Sequence, residues 1–273
     1  MSPMPFRPMD RRGKTPGDKA ASGQNRKVID VPAHSDLMEI TPLGDSALIV
    51  RVRDQFADAP EKTFEAVLEV VRRLEAAQIP GVIEVAPAYT TVAVFFDPVR
   101  VIAHGVEPDS LFEWLGEQIR KVVAMKGARK KAVSSRLIEI PVCYDIEFGL
   151  DLDEVAHHCR LSAAEIITRH STVDYRVNCL GFTPGFPFLS GLPLELAMPR
   201  RAVPRKKTPA GSVAIGGGQT GIYPLQSPGG WHVIGRTPRR LFRIEEDPPA
   251  LLRAGDRVRF RAITRSEFEN WKE

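Results

Sequence analysis

The chain has few cysteines and no long apolar segment. Three of its 273 residues are cysteine (Cys143, Cys159 and Cys179), too few for a disulfide framework and typical of the reducing cytoplasm. The longest apolar run that we find covers residues 92–96, whereas a membrane span requires roughly 18–20 residues. The N-terminus also lacks the apolar core of a secretion signal. We therefore expect a cytoplasmic protein without a membrane partner.

Positive charge exceeds negative charge only in the N-terminal segment. The chain carries 38 Lys and Arg against 34 Asp and Glu, a net charge of +4. The first 35 residues hold seven of the basic residues and three of the acidic ones, so they account for the whole excess. Since the remainder is neutral, we expect no nucleic-acid partner. Residues 1–36 are rich in Pro, Gly, Ser and charge, which predicts a disordered basic tail; a basic anchoring arm is the alternative.

Apolar periodicity predicts a small α/β domain over residues 37–128. Strands that alternate with two helices within about 90 residues are typical of a ferredoxin-like α/β sandwich. The short, charged segment 129–135 then predicts a linker. Strand patterns cover residues 45–52, 82–85 and 91–96, and helix patterns with one apolar face cover residues 60–78 and 108–125.

Residues 136–273 predict a second domain built from many short strands. Between residues 181 and 235 the chain has 11 of its 21 glycines and eight prolines, with aromatic side chains among them, which indicates ordered turns. Patterns that begin at Asp151 and Ser162 match the capping box of a helix. Short strands between Gly and Pro turns are typical of a closed or nearly closed β-barrel, so the fold class is α+β. The predicted strands are residues 137–142, 175–179, 231–234, 241–244 and 257–261.

The glycine-rich stretch 216–221 contains a formal G-x-G-x-x-G pattern. Pro224 follows it and argues against the helix that a dinucleotide site needs. We expect either a loop that lets a ligand or another backbone approach closely, or a plain bulged β-turn. No P-loop pattern occurs in the chain, so any ATP must be bound in another way.

Histidines occur at two places that bear on function. His157, His158 and Cys159 are adjacent, and neighbouring helix positions diverge, so we expect no resident metal there. His170 ends a predicted helix, where the helix dipole favours the cationic form of the imidazole. The residue is therefore either a structural cap or a polar group of a site.

Five cationic side chains lie within residues 200–207, bracketed by Pro199 and Pro204. Proline stiffens such a loop, and guanidinium groups suit bidentate binding of carboxylate or phosphate. The stretch predicts either an anion-binding loop or a solvated or subunit-facing basic loop, and the sequence favours neither.

Several long motifs in a fixed order resemble one family. They are GFTPGFPFL at residues 181–189, PAGSVAI at 209–215, QTGIYP at 219–224 and SPGGWHVIGRT at 227–237. These motifs resemble the 5-oxoprolinase B subunit family, also called allophanate hydrolase subunit 1, which includes the sporulation-kinase-inhibitor-like proteins. One departure is Phe188, which stands where the family usually has Tyr and removes a hydroxyl.

This resemblance implies a fold, an activity and partners. The fold is a small α/β N-terminal domain followed by a cyclophilin-like β-barrel. The activity is hydrolysis of 5-oxoproline to L-glutamate with ATP, together with subunits C and A of the 5-oxoprolinase. ATP is then a co-substrate, expected with Mg²⁺ and held in a site shared with the partner subunit. Since no lone nucleophile is visible, we expect the isolated chain to be inactive.

Phosphorylation of the lactam oxygen would need cations for the phosphate, donors for the developing oxyanion and an apolar wall. Residue types in the matching motifs supply these groups. We expect a catalytic set of His170, Arg200, Arg205, Gln219 and Tyr223. We expect a substrate- or phosphate-binding set of Asn178, Phe182, Phe186, Arg201, Gly217, Gly218, Thr220, Gly229, Gly230 and Trp231.

Two functions of other classes stay open at this point. One is the carboxyltransferase half of a urea-carboxylase-type enzyme, which requires a biotin carrier in a neighbouring protein. The other is a histidine-kinase-inhibitory binding protein, which would use the barrel surface and need no ATP.

Overall fold

The computed structural model describes residues 39–53, 55–56, 59–125 and 135–272. The predicted tail and nearly all of the predicted linker lie outside these residues. Among the helices of the described part, none is long and apolar enough to cross a membrane.

The N-terminal part is a four-stranded antiparallel sheet with helices packed on it. Its elements are β1 (Ile40–Pro42), β2 (Ala47–Arg51), α1 (Pro60–Ala77), β3 (Val82–Ala88), β4 (Thr91–Phe96), α2 (Pro98–Ala103) and α3 (Leu111–Ala124). The strand order is β1-β2-β4-β3. Both long helices bury one apolar face in a shared core with β2 and β4. The predicted small α/β sheet is confirmed.

Short elements of this part were not predicted. The six-residue helix α2 is too short to show apolar periodicity, and it begins because Asp97 accepts hydrogen bonds from the Val99 and Arg100 amides. The predicted second helix starts as a 3₁₀ turn, Pro108–Ser110, before it continues as α3.

The C-terminal part is a closed seven-stranded barrel. Its elements are β5 (Leu137–Cys143), α4 (Leu152–Cys159), α5 (Ala163–Ser171), β6 (Asp174–Leu180), β7 (Pro187–Ser190), β8 (Arg205–Thr208), β9 (Ser212–Gly216), β10 (Gln219–Ile222), β11 (Ser227–Gly229), β12 (His232–Arg236), β13 (Arg257–Ile263) and α6 (Arg265–Glu269). The closed order is β10-β7-β6-β13-β5-β12-β9, in which only the β5 and β13 pair is parallel. Strands β8 and β11 form a separate ribbon. The predicted barrel is confirmed.

The prediction of a strand over residues 241–244 is wrong. Phe242 makes one isolated bridge to Ala250, and the Leu251 amide donates to the Leu241 carbonyl. The segment therefore folds back on itself instead of joining the barrel, although its apolar residues resemble a strand.

One of the two predicted capping boxes is present. The Ser162 hydroxyl accepts from the Glu165 amide, and the Glu165 carboxylate accepts from the Ser162 amide. The prediction at Asp151 is wrong, because its carboxylate makes no bond to the first turn of α4. That carboxylate has other partners, which belong to the candidate site.

The sheet and the barrel meet along α1, β3 and β6. Arg176 of β6 pairs with Glu65 of α1 at 2.6 Å, and its guanidinium lies 5.8 Å from the centre of the Phe64 ring. Beyond this contact, the turn between β3 and β4 reaches the end of the barrel where β10 begins.

Candidate functional site

Aromatic rings form a compact cluster on the barrel. Phe186, Tyr223 and Trp231 are almost fully buried, and the Phe186 ring lies edge-on to the other two at 5.1 and 5.6 Å. Phe182 lies beside them, 64% exposed, and its φ of +68° is rare for a residue with a side chain. The predicted aromatic wall residues are therefore together, and Phe182 is their open edge.

Glycines let these rings lie directly on the strands. A Cβ atom on Gly216 would come within 2.6 Å of the Trp231 ring, and one on Gly221 within 2.9 Å of Phe186. Gly229, from the predicted binding set, likewise lies against the Tyr223 ring. These glycines let side chains approach closely, whereas the sequence predicts for the glycine-rich stretch either the approach of a ligand or another backbone or a bulged β-turn.

The formal G-x-G-x-x-G pattern is the turn of the hairpin between β9 and β10. Gly216 pairs with Gln219, and Gly217 has a φ of +63° in the two-residue turn. The amide of Gly217 donates to the Met198 carbonyl at 2.7 Å, so it is not open to a ligand. Gly218 is exposed at the tip of the turn.

Asp151 holds two of the three predicted arginines. Its buried carboxylate accepts from Arg201 at 2.8 Å, from Arg205 at 2.9 and 3.0 Å, and from the Val233 amide at 2.8 Å. Burial raises the pKa of Asp151, but the bonds from Arg205 and Val233 outweigh it, so the pKa is lowered. Arg201 also pairs with Glu154 at 3.0 Å, so two carboxylates balance the charges of Arg201 and Arg205.

Arg200 differs from its two neighbours. It is exposed, and no carboxylate in the described part of the chain pairs with it. Burial raises the pKa of the Tyr89 and Tyr223 hydroxyls, that of Tyr89 to about 12, and the nearby positive charge of Arg200 offsets part of the rise. Arg200 is therefore an open cation close to two neutral hydroxyl groups.

Gln219 contacts the N-terminal sheet through one of these two hydroxyl groups. Its Nε2 atom donates a hydrogen bond to the hydroxyl of Tyr89, 130 residues away in sequence. The Phe56 ring packs edge-on against Tyr89 at 5.3 Å. The sequence did not identify Tyr89 as a site residue; the one local signal is a Tyr in a tight turn, where Gly or Asn is usual.

His170 and Thr220 lie inside the barrel and have no exposed surface. Thr220 donates to the Ala214 carbonyl, so it accepts from His170 Nε2–H at 3.0 Å, and His170 Nδ1 accepts from Tyr144 at 2.8 Å. Burial lowers the pKa of His170 to about 3. The expectation of a cationic imidazole is wrong, because desolvation outweighs the helix dipole. These hydrogen bonds connect α5 to β10.

The remaining predicted residues lie around this arrangement. Asn178 is buried at a bulge of β6; Ser190 donates to its Oδ1 atom, and its Nδ2 has no partner among the described residues. The Gly230 carbonyl accepts from the Arg201 amide at 2.8 Å, which fixes the basic loop to the residue that follows β11.

A cluster of Asp151, Glu154 and His232 has the spacing of a metal site. Arg201 Nη1, however, already lies 2.8 Å from Asp151 and 3.0 Å from Glu154. A guanidinium between the carboxylates takes the position of a cation, so this cluster does not fit Mg²⁺.

Comparison with known proteins identifies the family of the chain. Residues 38–252 match the family described as carboxyltransferase domain, subdomain C and D. The chain is 43% identical to the 5-oxoprolinase B subunit of Bacillus subtilis (strain 168), over 86% of this chain and 97% of that protein. The chain belongs to the 5-oxoprolinase B subunit family. The family resemblance of the motifs is thereby confirmed.

Two further comparisons concern a second 5-oxoprolinase B subunit and a solved structure. The 5-oxoprolinase B subunit of Escherichia coli O157:H7 is 40% identical over 80% of this chain and 93% of its own length. The crystal structure of TTHA0988 is 35% identical over 80% of this chain, with a TM-score of 0.64. This chain spans 40% of that chain, which is therefore much longer.

Proposed function

We propose that this chain is the B subunit of an ATP-dependent 5-oxoprolinase. With subunits C and A, it would open the lactam ring of 5-oxoproline to give L-glutamate. The support is similarity over nearly the whole length of two relatives that carry this name. The carboxyltransferase half of a urea-carboxylase-type enzyme and the kinase-inhibitory protein lack comparable support. We place the protein in the cytoplasm, where its three free cysteines would stay reduced.

The single observation that carries the site is the charge of Arg200, with which no carboxylate of the described residues pairs. We assign Arg200 to the anionic group of the ligand, either the carboxylate of 5-oxoproline or the transferred phosphoryl group. Phe182 and the aromatic cluster supply an apolar face for the ring methylenes. Arg201 and Arg205 act through Asp151, holding the loop that presents Arg200.

Binding of the nucleotide requires more groups than the described residues of this chain offer. One open arginine suits a phosphate, but the nearby carboxylates are engaged and do not fit Mg²⁺. We therefore propose that ATP and its metal are held mainly by a partner subunit. Because Arg200 and Phe182 are exposed, this chain presents one half of a site that a partner closes.

The test is the activity of the reconstituted complex with Arg200→Ala. Loss of a charge-assisted contact to the ligand should reduce kcat/KM for 5-oxoproline at least roughly tenfold. Lys206→Ala removes an exposed cation from the neighbouring strand β8 and should leave the rate within about twofold of wild type.

Three results would count against this function. They are absence of ATP-dependent loss of 5-oxoproline by the wild-type complex, turnover by this chain alone, and equal rates for the two variants. The first contradicts the reaction, the second contradicts the shared site, and the third contradicts the role of Arg200.

A further inference from the structure

Tyr89 brings a hydroxyl group from the N-terminal sheet to the barrel site. Ala88 and Thr91 pair across β3 and β4, so Tyr89 occupies a two-residue turn, with a φ of +43°. Residues with a side chain adopt this conformation where the surroundings determine it. Phe56 and Gln219 supply those surroundings.

The hydrogen bond between Gln219 and Tyr89 has one direction. Gln219 Nε2 donates, and the Tyr89 hydroxyl accepts with its oxygen. The nitrogen of the carboxamide is then committed to Tyr89, and the oxygen is oriented away from it.

The carboxamide oxygen of Gln219 is available to a ligand. It has no hydrogen-bond partner among the described residues, and it is not one of the buried atoms that lack a partner. It is thus an acceptor that a ligand can reach, and its side chain is bonded to the Tyr89 hydroxyl on which the charge of Arg200 acts. An acceptor and a cation that act around one hydroxyl group suit a small anion that also carries an N–H group.

We propose that Tyr89 is a positioning residue that holds Gln219 so that its oxygen accepts the ring N–H of 5-oxoproline. The inference rests on the proposed function and states which group of the substrate the site recognises. Arg200 meets the carboxylate, and Gln219 distinguishes a lactam from a lactone. A lactone has a ring oxygen in place of N–H, which would face the carboxamide oxygen without a hydrogen bond between them.

The experiment compares 5-oxoproline with its lactone analogue, 5-oxotetrahydrofuran-2-carboxylate. Calorimetry with the reconstituted complex should show wild type binding the lactam at least roughly tenfold more tightly than the lactone. Tyr89→Phe keeps the ring but loses the hydroxyl. It should reduce this preference to about threefold or less and raise KM about five- to tenfold, with little change in kcat.

Two additional variants separate positioning from stability. In the Gln219→Met background, adding Tyr89→Phe should change KM less than about twofold, because the group that Tyr89 positions is already absent. Thr91→Val removes a hydroxyl of the same turn that bonds to the Ala88 carbonyl, and it should retain the wild-type preference.

The proposal is overturned if folded Tyr89→Phe keeps the wild-type lactam preference. It is also overturned if Tyr89→Phe raises KM equally in the Gln219→Met background, which would make Tyr89 a structural residue. The thermal midpoint of each variant identifies misfolding, and the binding preference is measured even in a complex without turnover. Absent turnover alone contradicts the proposed function, whereas an unchanged preference contradicts this inference.

Discussion

At the scale of single residues, Asp151 determines which arginine of the basic loop can meet a ligand. Its carboxylate accepts three hydrogen bonds from the guanidinium groups of Arg201 and Arg205 and one from the backbone amide of Val233. A carboxylate with this many donors stays ionised, and together with Glu154, which also pairs with Arg201, it balances the charges of the two arginines. Arg200, one position along the chain, keeps its charge available for an external anion.

A second residue, His170, makes the stability of the fold dependent on pH. Its pKa is about 3 when folded and 6.5 in a model compound. Between these values the unfolded chain binds a proton that the folded chain does not, so stability rises with pH and levels off above 6.5. From pH 6.5 to pH 5, this group should lower the free energy of unfolding by about 2 kcal/mol.

Urea unfolding at pH 7.5, 6 and 5 measures this dependence. His170→Gln can still accept from Tyr144 and donate to Thr220, but it cannot titrate, so its stability should fall less steeply below pH 6.5. His158→Gln, at an exposed position, is the matched control. An equal slope in wild type and His170→Gln would contradict the assignment.

The sequence identifies the chemical types of the site residues better than their partners. Five cations within eight residues predicted an anion-binding loop as one of two interpretations. Which cation stays unpaired depends on Asp151, which is 50 residues from Arg201. Local patterns assigned that carboxylate to a helix cap, because its partners approach only after the chain has folded.

At the scale of elements, the hairpin of β9 and β10 depends on one glycine far more than on another. A Cβ on Gly216 meets the Trp231 ring at 2.6 Å, whereas a Cβ on Gly218 meets nothing within 4 Å. Gly216→Ala should therefore reduce the free energy of unfolding by about 1–3 kcal/mol as the indole is displaced. Gly218→Ala should change it by less than about 0.5 kcal/mol.

Urea unfolding followed by circular dichroism compares the two variants directly. Activity of the reconstituted complex should also fall more for Gly216→Ala, since Trp231 belongs to the aromatic cluster. Equal stability of the two variants would show that the indole moves aside at no cost, contrary to the close packing that the hairpin displays.

Elements with a long apolar period were predictable, whereas the two shortest helices and an isolated strand-like segment were not. Helix α1 shows its buried face over 18 residues, so its periodicity is evident in the sequence. Helices α2 and α6 have six and five residues, too few for a period. Residues 241–244 have strand-forming side chains but no barrel neighbour, and pairing is a property of the partner strand.

At the scale of the whole molecule, the candidate site depends on contact between the sheet and the barrel. Tyr89 belongs to one and Gln219 to the other, so their hydrogen bond requires a fixed arrangement of both. Arg176 makes a further polar contact between the sheet and the barrel: it is 12% exposed and lies 2.6 Å from Glu65 and 3.7 Å from Glu61. No local sequence pattern indicates this contact, because its members are 111 residues apart.

Replacing Arg176 tests whether this contact couples the two parts. Arg176→Met keeps apolar packing on Phe64 but leaves Glu65 unpaired; since Glu65 is 44% exposed, the loss should be about 1–2 kcal/mol. Arg51→Met, which breaks an exposed pair with Glu39, should cost less than about 1 kcal/mol. Hydrogen exchange in Arg176→Met should then accelerate in both α1 and β6. Acceleration confined to β6 would mean that the sheet and the barrel are held together by other contacts.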